Sequence, residues 1–378
     1  MSSNASDHER IVITGAGLIS SLGCDLDVLR EDAAVFRPKN ARAPSRVAQF
    51  RGDVDEFQPV SPQAKRTIRK SLKLMNRETQ MGVAAASRAV NDSSLLGAGY
   101  EPDRIGVCFG AGNVEINPAD FVDGVESCLQ HDAEAIEALW PQVGIGAVEP
   151  LWILRVLPNM PACHIAIICD LQGPNNTITQ REVSANQAMD EARHYLLDDE
   201  ADAMVVGSCG TAIRSQSIGT NSDGNGVHSA SEGAGAFVLE RLDAARERGA
   251  KIYGELLSTS SSCSVDGTRN GKPRDAIQLA LAKLSRTESV AKSQPFCVAA
   301  DSLCEQQPVS KGSNLTVPMI NLSQLIGDVD AASGAIGLAA ALTRLRAESK
   351  PVAISINATP SGLASCVAVR HIHHAKAA

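Results

Sequence analysis

Short unbroken apolar runs alternate along this chain with stretches whose apolar residues recur at helical spacing. Residues 10–23 open on Ile11-Val12-Ile13, which predicts a short strand entering a glycine-bearing turn at Gly15-Ala16-Gly17. From 72 to 90 apolar residues recur at helical spacing (Leu74, Met81, Ala85, Val90), and Asn91-Asp92-Ser93-Ser94 supplies a stop. Residues 104–112 predict a buried strand ending in a tight turn, 113–150 an irregular, partly helical stretch, and 159–169 a buried helix. The second half repeats the alternation, with strands over 203–207 and 233–240 and a helix over 244–249. A strand over 251–256, a helix over 275–284 and strands over 295–299 and 352–357 follow. Residues 25–65 predict loops with short helices, and the Ser/Gly/Asn-rich stretch 215–231 a mobile loop. No short-period repeat or low-complexity tract interrupts this order. Strands alternating with helices predict an α/β fold with parallel or mixed sheets.

Apolar residues make up 44% of the chain but only 3% are aromatic, so the core must be built from Ala, Val, Ile and Leu. A net charge of −8 without a basic stripe excludes a dominant nucleic-acid surface. No run has the length of a membrane span, and polar residues 1–9 lack the apolar centre of a signal peptide. The ten cysteines form no Cys-x-x-Cys pair and no zinc-like spacing. Cys108, Cys169 and Cys297 lie in apolar runs, where a free cysteine behaves as a small buried hydrophobe. A reducing cytoplasm is therefore the expected compartment. Ser20 stands where Gly-x-Gly-x-x-Gly needs its third glycine, which argues against a nucleotide site at Gly15. His164 reads as a packing residue. His371, His373 and His374 read as a solvated tail rather than a metal site, and Ser184 and Ser361 have no identified base.

One stretch carries most of the chemical information: Gly173-Pro174-Asn175-Asn176-Thr177-Ile178-Thr179-Gln180-Arg181-Glu182-Val183-Ser184-Ala185-Asn186-Gln187-Ala188. It resembles the nucleophile segment of β-ketoacyl synthases, the condensing enzymes of fatty-acid and polyketide synthesis. In that family Gly-Pro opens a short strand and a reactive cysteine sits at the strand-to-helix turn. Further pieces follow in the family's order between residues 10 and 369. Leu157-Pro158-Asn159-Met160-Pro161-Ala162-Cys163-His164 resembles the segment before the nucleophile strand. Ser231-Glu232-Gly233-Ala234-Gly235-Ala236-Phe237-Val238-Leu239-Glu240 is close to a family hallmark, 244–252 resembles the helix and strand after it, and Gly334-Ala335-Ile336 a Gly/Ala-rich helix start. The resemblance implies an α/β, thiolase-like duplicated fold, five-layered α-β-α-β-α and usually dimeric. Its N-terminal half is expected over 10–250 and its C-terminal half over 251–372, with flexible tails at 1–9 and 373–378.

The same resemblance assigns the site. Glu182 takes the place of the cysteine. Two histidines of the family bond the thioester oxygen of the malonyl carrier as it loses carbon dioxide. Val298-Ala299-Ala300-Asp301-Ser302 puts Asp301 at the first, and Gly327-Asp328-Val329-Asp330 puts Asp328 at the second. Ser323 stands for a lysine. In Asn357-Ala358-Thr359-Pro360-Ser361-Gly362 the gating aromatic becomes Ser361, Gly362 is kept, and Pro360 removes a backbone donor. The loop between 207 and 231 is shorter than the family norm. A carboxylate cannot replace a thiolate in acyl transfer, and ionised acids repel an enolate; one lost oxyanion donor alone costs about 10²–10³ in rate. Condensation is therefore not expected. Glu182 would also gain about 0.3–1 kcal/mol from the dipole of the helix that follows it, without any catalysis.

Three functions remain open on the sequence. The first is a chain-length-factor-like partner of an active ketosynthase, although such subunits usually carry Gln where this chain has Glu182. The second is an enzyme acting on an acyl thioester or related small molecule by hydrolysis, dehydration or cyclisation. It would use a pocket in which Glu182, Asp301 and Asp328 converge, holding Ca²⁺ or Mg²⁺ or sharing protons, with Arg181 placed to neutralise one charge. The third is a homodimeric acyl-binding scaffold. Arg181, Ser323, Ser361 and Gly362 are expected to line the pocket, no cofactor is expected, and a homodimer or heterodimer with an acyl carrier protein as further partner is.

Overall fold

In the computed structural model, ten strands pair into one mixed sheet; the described residues are 7–30, 46–58, 61–112, 116, 118–132, 136–213, 229–268, 270–293, 295–301, 303–304, 319–347 and 351–372. In chain order the strands are β1 (Ile11–Ile19), β2 (Ile105–Gly110), β3 (Asn175–Ile178), β4 (Ala203–Thr211) and β5 (Glu232–Arg241), then β6 (Gly254–Cys263), β7 (Phe296–Ala299), β8 (Met319–Asn321), β9 (Val352–Ala358) and β10 (Leu363–Arg370). Across the sheet they run β3-β2-β4-β5-β1-β6-β10-β9-β7-β8. The two sets of five match strand for strand. β2 lies parallel to β3 and β4, and β5 antiparallel to β4 and β1. β7 lies parallel to β8 and β9, and β10 antiparallel to β9 and β6. Among the described strands they join where Ile11, Val12 and Ile13 face Leu256, Glu255 and Gly254. The duplication is thus written in the strand pairing.

The helices fill three layers around these strands. Arg77–Ser93 lies on the outer face of β1, β4 and β5, with Met160–Cys169 against it, and Pro273–Leu284 lies outside β6, β9 and β10. Between the halves run Ser184–Leu197 and Ser333–Ala347, each touching strands of both sets. A helix placed there must be apolar all round, and residues 333–345 are buried without exception. Separate clusters of buried side chains occupy the outer and inner interfaces. The fold is the five-layered, thiolase-like α/β arrangement.

Several local expectations change. Gly15 and Gly17 lie inside β1, not in a turn. A Cβ at Gly15 would stand 2.3 Å from the Ala89 carbonyl oxygen, and one at Gly17 2.1 Å from that of Ala85. These glycines let Arg77–Ser93 approach the strand and leave no phosphate cradle. That helix begins later than the apolar spacing suggests, because Asn76 caps it by accepting the Thr79 amide at 2.8 Å. β8 and β10 were not predicted, and β6 starts and ends later than the run 251–256. Asp7–Glu9 is a turn and not a loose tail: Asp7 pairs with Arg10 at 2.9 Å and with Arg246, and His8 with Asp243 at 3.0 Å. Residues 1–6 and 373–378, with His373 and His374, lie outside the described residues, as does most of the expected loop 215–231. Cys108, Cys169 and Cys297 are buried free thiols. No helix among the described residues is long and apolar enough to cross a membrane.

Candidate functional site

β3 delivers the chain to a tight turn, Arg181–Val183, from which the inner helix Ser184–Leu197 departs. The Gln180 amide bonds the Ser184 hydroxyl at 2.9 Å across this turn. Arg181 has φ of 55°, in the left-handed region that a residue with a Cβ occupies only at a cost. Glu182 is 8% exposed, and its Oε2 accepts no hydrogen bond. Its nearest cation is the Arg181 Nε at 3.5 Å, and the Arg181 Nη2 reaches onward to Asp330 Oδ1 at 3.2 Å. Burial pushes the Glu182 carboxyl up to about 7; Asp330 and Asp301 push the same way, and Arg181 opposes them.

Asp301, just beyond β7, is equally buried but fully engaged. Its Oδ1 accepts the Cys304 amide at 3.0 Å, and its Oδ2 accepts Asn357 Nδ2 at 3.0 Å and the Ala358 amide at 3.2 Å. Burial still raises its carboxyl to about 6 against those donors. The carboxylate closes a loop onto the end of β9. Asp328 does not join the two. It is exposed at the rim, its Oδ1 accepts the Asp330 amide at 3.0 Å, and its backbone pairs with Ser229 and Ser231. The expected triad is thus a buried pair, Glu182 and Asp301, with Asp328 outside. Asp330, two residues on and at the head of the tight turn Asp330–Ala332, is the acid that turns inward. It is buried, with φ of 48°.

A further acid escaped the sequence reading. Glu78, in the first turn of Arg77–Ser93, accepts the Gly112 amide at 2.9 Å, and burial raises it to about 7, with Asp330 adding to the rise. A Cβ at Gly112 would lie 3.1 Å from both Asp330 Oδ2 and Glu78 Oε1, so this glycine leaves the gap between the two acids open. The available signal was a charged residue at the head of a helix buried over most of its length.

The remaining candidates have local roles. The Ser323 hydroxyl and amide both bond Asn321 Oδ1, at 2.5 and 2.7 Å. Ser361 is exposed and shares a 2.7 Å hydrogen bond with Thr359. Gly362, at φ of 86°, makes the tight turn between β9 and β10, where a Cβ would strike the Ser264 carbonyl oxygen at 2.1 Å. Neither residue lines the acid pocket through any hydrogen bond. His164 is buried with neither ring nitrogen hydrogen-bonded, and burial holds it neutral. Cys209, 3.9 Å from Glu78, is a buried thiol raised well above its ordinary range, the opposite of an activated nucleophile. Among the described residues no group of three or more His, Cys, Asp or Glu is arranged to hold a metal ion. Among the described residues the pocket offers proton-exchanging carboxyls and one guanidinium, but no thiolate and no imidazole.

Comparison with known proteins agrees with this architecture. The sequence model of the β-ketoacyl synthase N-terminal domain matches residues 8–245. A 3-oxoacyl-[acyl-carrier-protein] synthase 2 of Vibrio harveyi is 26% identical over 278 residues, 67% of this chain. The match spans 63% of that relative's length, under two thirds of it. A type II polyketide ketosynthase, solved with its acyl-carrier protein and bound to a hexaketide, superposes with a TM-score of 0.71 at 19% identity, over 96% of this chain and 99% of its own. The ishigamide ketosynthase/chain length factor superposes with a TM-score of 0.67 at 18% identity, over 96% of this chain and 100% of its own.

Proposed function

The chain belongs to the β-ketoacyl synthase family, and we propose that it is a non-condensing member acting as a chain-length-factor-like partner of an active ketosynthase in fatty-acid or polyketide-type synthesis. The observation that carries this reading is the state of Asp301. At the position matched to a substrate-binding histidine, both carboxylate oxygens are already taken by Cys304, Asn357 and Ala358. An ionised carboxylate held by three donors has no proton to give a thioester oxygen, and it carries the wrong charge for an enolate. With Glu182 in the nucleophile's place, acyl transfer has no starting point.

Three surface features support a partner. β3 ends the sheet, so among the described residues its outer edge has no neighbouring strand, and an open edge invites pairing with another chain. Most exposed large apolar side chains among the described residues fall between 116 and 167, including Val122, Leu129, Ile145, Ile153 and Ile167. The helix Pro62–Ser71 exposes Arg66, Arg69 and Lys70 on a chain of net charge −8, which suits an acidic partner such as a carrier protein. Both the partner and its carrier belong to this reading. Co-expression with an intact ketosynthase from the same genome tests it: a stable one-to-one complex is expected, and exclusive formation of homodimers would overturn it.

A second reading has one observation in its favour. Glu182 Oε2 is buried without a donor, and its carboxyl is raised to about 7, the range of a general acid. That would suit hydrolysis, dehydration or cyclisation of an acyl thioester. Turnover of such a substrate that disappears in Glu182→Gln would favour it over the partner reading.

A further inference from the structure

A cavity separate from the acid pocket lies at the far end of the inner helix Ser333–Ala347. Its walls come from the last turns of that helix, the turn Leu26–Arg30 and Tyr253, the residue before β6. Arg346 stands about 20 Å along the axis from the helix start at Ser333. The cavity measures about 240 Å³, room for on the order of eight water molecules or as many ligand atoms. Leu26, Leu342 and the ring of Tyr253 give it an apolar wall. Leu342 and Tyr253 are buried, and the Tyr253 hydroxyl is fixed by donating to Asp92 at 2.6 Å. The Thr343 hydroxyl shares its proton between the carbonyls of Ala339 at 2.9 Å and Leu26 at 3.4 Å. The turn is thereby tied to the helix, and the cavity is preformed.

Arg30, Arg346 and Asp27 supply the charges of the lining. Asp27 lies 3.7 Å from Arg30 and both are exposed, so that pair is loose. Arg346 has no ion-pair partner among the described residues. Its guanidinium carbon stands 4.3 Å from the Tyr253 ring centroid, a cation–π contact, and its Nη2 donates to the Ile252 carbonyl at 3.4 Å. One long bond leaves most donors of a guanidinium fork unspent. Lys251 also lies 4.3 Å from the ring centroid, but it is paired with Asp92 at 3.1 Å. Two cations against one carboxylate leave a single positive charge beside the apolar wall. The carbonyl end of the helix adds about half a negative charge and, with Asp27, weighs against a dianion such as phosphate. We infer that this cavity is a binding site for a small carboxylate carrying a short apolar group. The carboxylate accepts from the planar fork of Arg346, which suits it better than a point charge would, and the apolar part lies against Leu26, Leu342 and Tyr253. The site needs neither the buried acids of the other pocket nor a partner subunit.

Isothermal titration calorimetry of the whole chain with hexanoate, at about pH 7.5 where it is ionised, tests the assignment. Saturable binding with a Kd on the order of 1 mM is expected for a ligand of this size. Hexanol, with the tail but no charge, and acetate, with the charge but almost no tail, should each bind about tenfold more weakly. Arg346→Gln should weaken hexanoate by about tenfold or more. Asp27→Asn should tighten it by about threefold, because it removes a repelling charge and releases Arg30; a merely structural role for Asp27 would not move affinity in that direction. Glu182→Gln, in the other pocket, should leave hexanoate binding unchanged. The substitutions at Arg346 and Asp27 fall on exposed side chains, and matching circular dichroism spectra check that the fold is kept. Absence of saturable binding by about 10 mM hexanoate would overturn the site. So would hexanol binding as tightly as hexanoate, or an affinity that Arg346→Gln leaves unchanged, Asp27→Asn weakens or Glu182→Gln abolishes.

Discussion

Asp301 and Glu182 are two buried acids near enough to act on one another, and the protein treats them in opposite ways. Asp301 sits among three donors from the loop it closes; it has been built into the frame. Glu182 has one oxygen with no donor, a cation 3.5 Å away, and two further acids acting on it. A buried carboxylate stabilises a fold when the backbone has reorganised to meet it and strains the fold when it has not. The difference also separates the two functional readings. The engaged acid is what the proposed non-condensing reading rests on, and the unengaged one is what the second, chemical reading rests on.

The largest test of that contrast is Asp301→Ala. It leaves the Cys304 and Ala358 amides and the Asn357 side chain without their acceptor in a closed interior. Each orphaned buried donor costs about 1–3 kcal/mol, so a loss of about 3 kcal/mol or more is expected in denaturant unfolding. Asp301→Asn should recover only part of it, since an amide group turns donors toward donors. A loss below about 1 kcal/mol would mean that Asp301 does not hold this loop.

Glu182→Gln should act in the opposite direction and with a pH signature. The folded carboxyl is raised from 4.5 to about 7, so the folded chain holds its proton more tightly than the unfolded one. Its contribution is most favourable below the unfolded value and is lost as the pH rises through the folded one. The full shift corresponds to an upper limit on the order of 3 kcal/mol. Glu182→Gln should therefore be more stable than the parent by about 1–3 kcal/mol at about pH 8 and nearly equal to it at about pH 4.5. Matched unfolding curves at both pH values check this, and a variant less stable at the higher pH would show that Arg181 compensates Glu182 fully.

How far the sequence foretold this pocket can be judged residue by residue. The alternation of apolar runs carried the α/β class, and the motif around Gly173 carried the turn and the position of Glu182, since both depend on local spacing. Gly15 and Gly17 misled because a glycine that admits a helix at 2.1–2.3 Å and one that makes a turn look alike in a string of letters. β8 and β10 lie in stretches whose strand character depends on their neighbours in the sheet. Asp330 and Glu78 were missed for a different reason. Neither occupies a position where the family keeps a reacting group, and only the three-dimensional approach of Gly112 shows that they meet.

The smallest effect belongs to Asp328, expected from the family resemblance at the site but placed at the rim. Its side chain is exposed and takes one hydrogen bond, from the Asp330 amide at 3.0 Å, while its structural work is done by its backbone pairing with Ser229 and Ser231. Asn can accept the same amide, so Asp328→Asn should change stability by no more than about 0.5 kcal/mol. Asp330→Asn is the control. Asn tolerates the left-handed angle that Asp330 adopts, so any change there reports the lost carboxylate charge rather than backbone strain. If Asp328→Asn proved the more damaging of the two, the acid turned toward Glu182 would be Asp328 after all, and the pocket would be the three-carboxylate site that the sequence alone suggests.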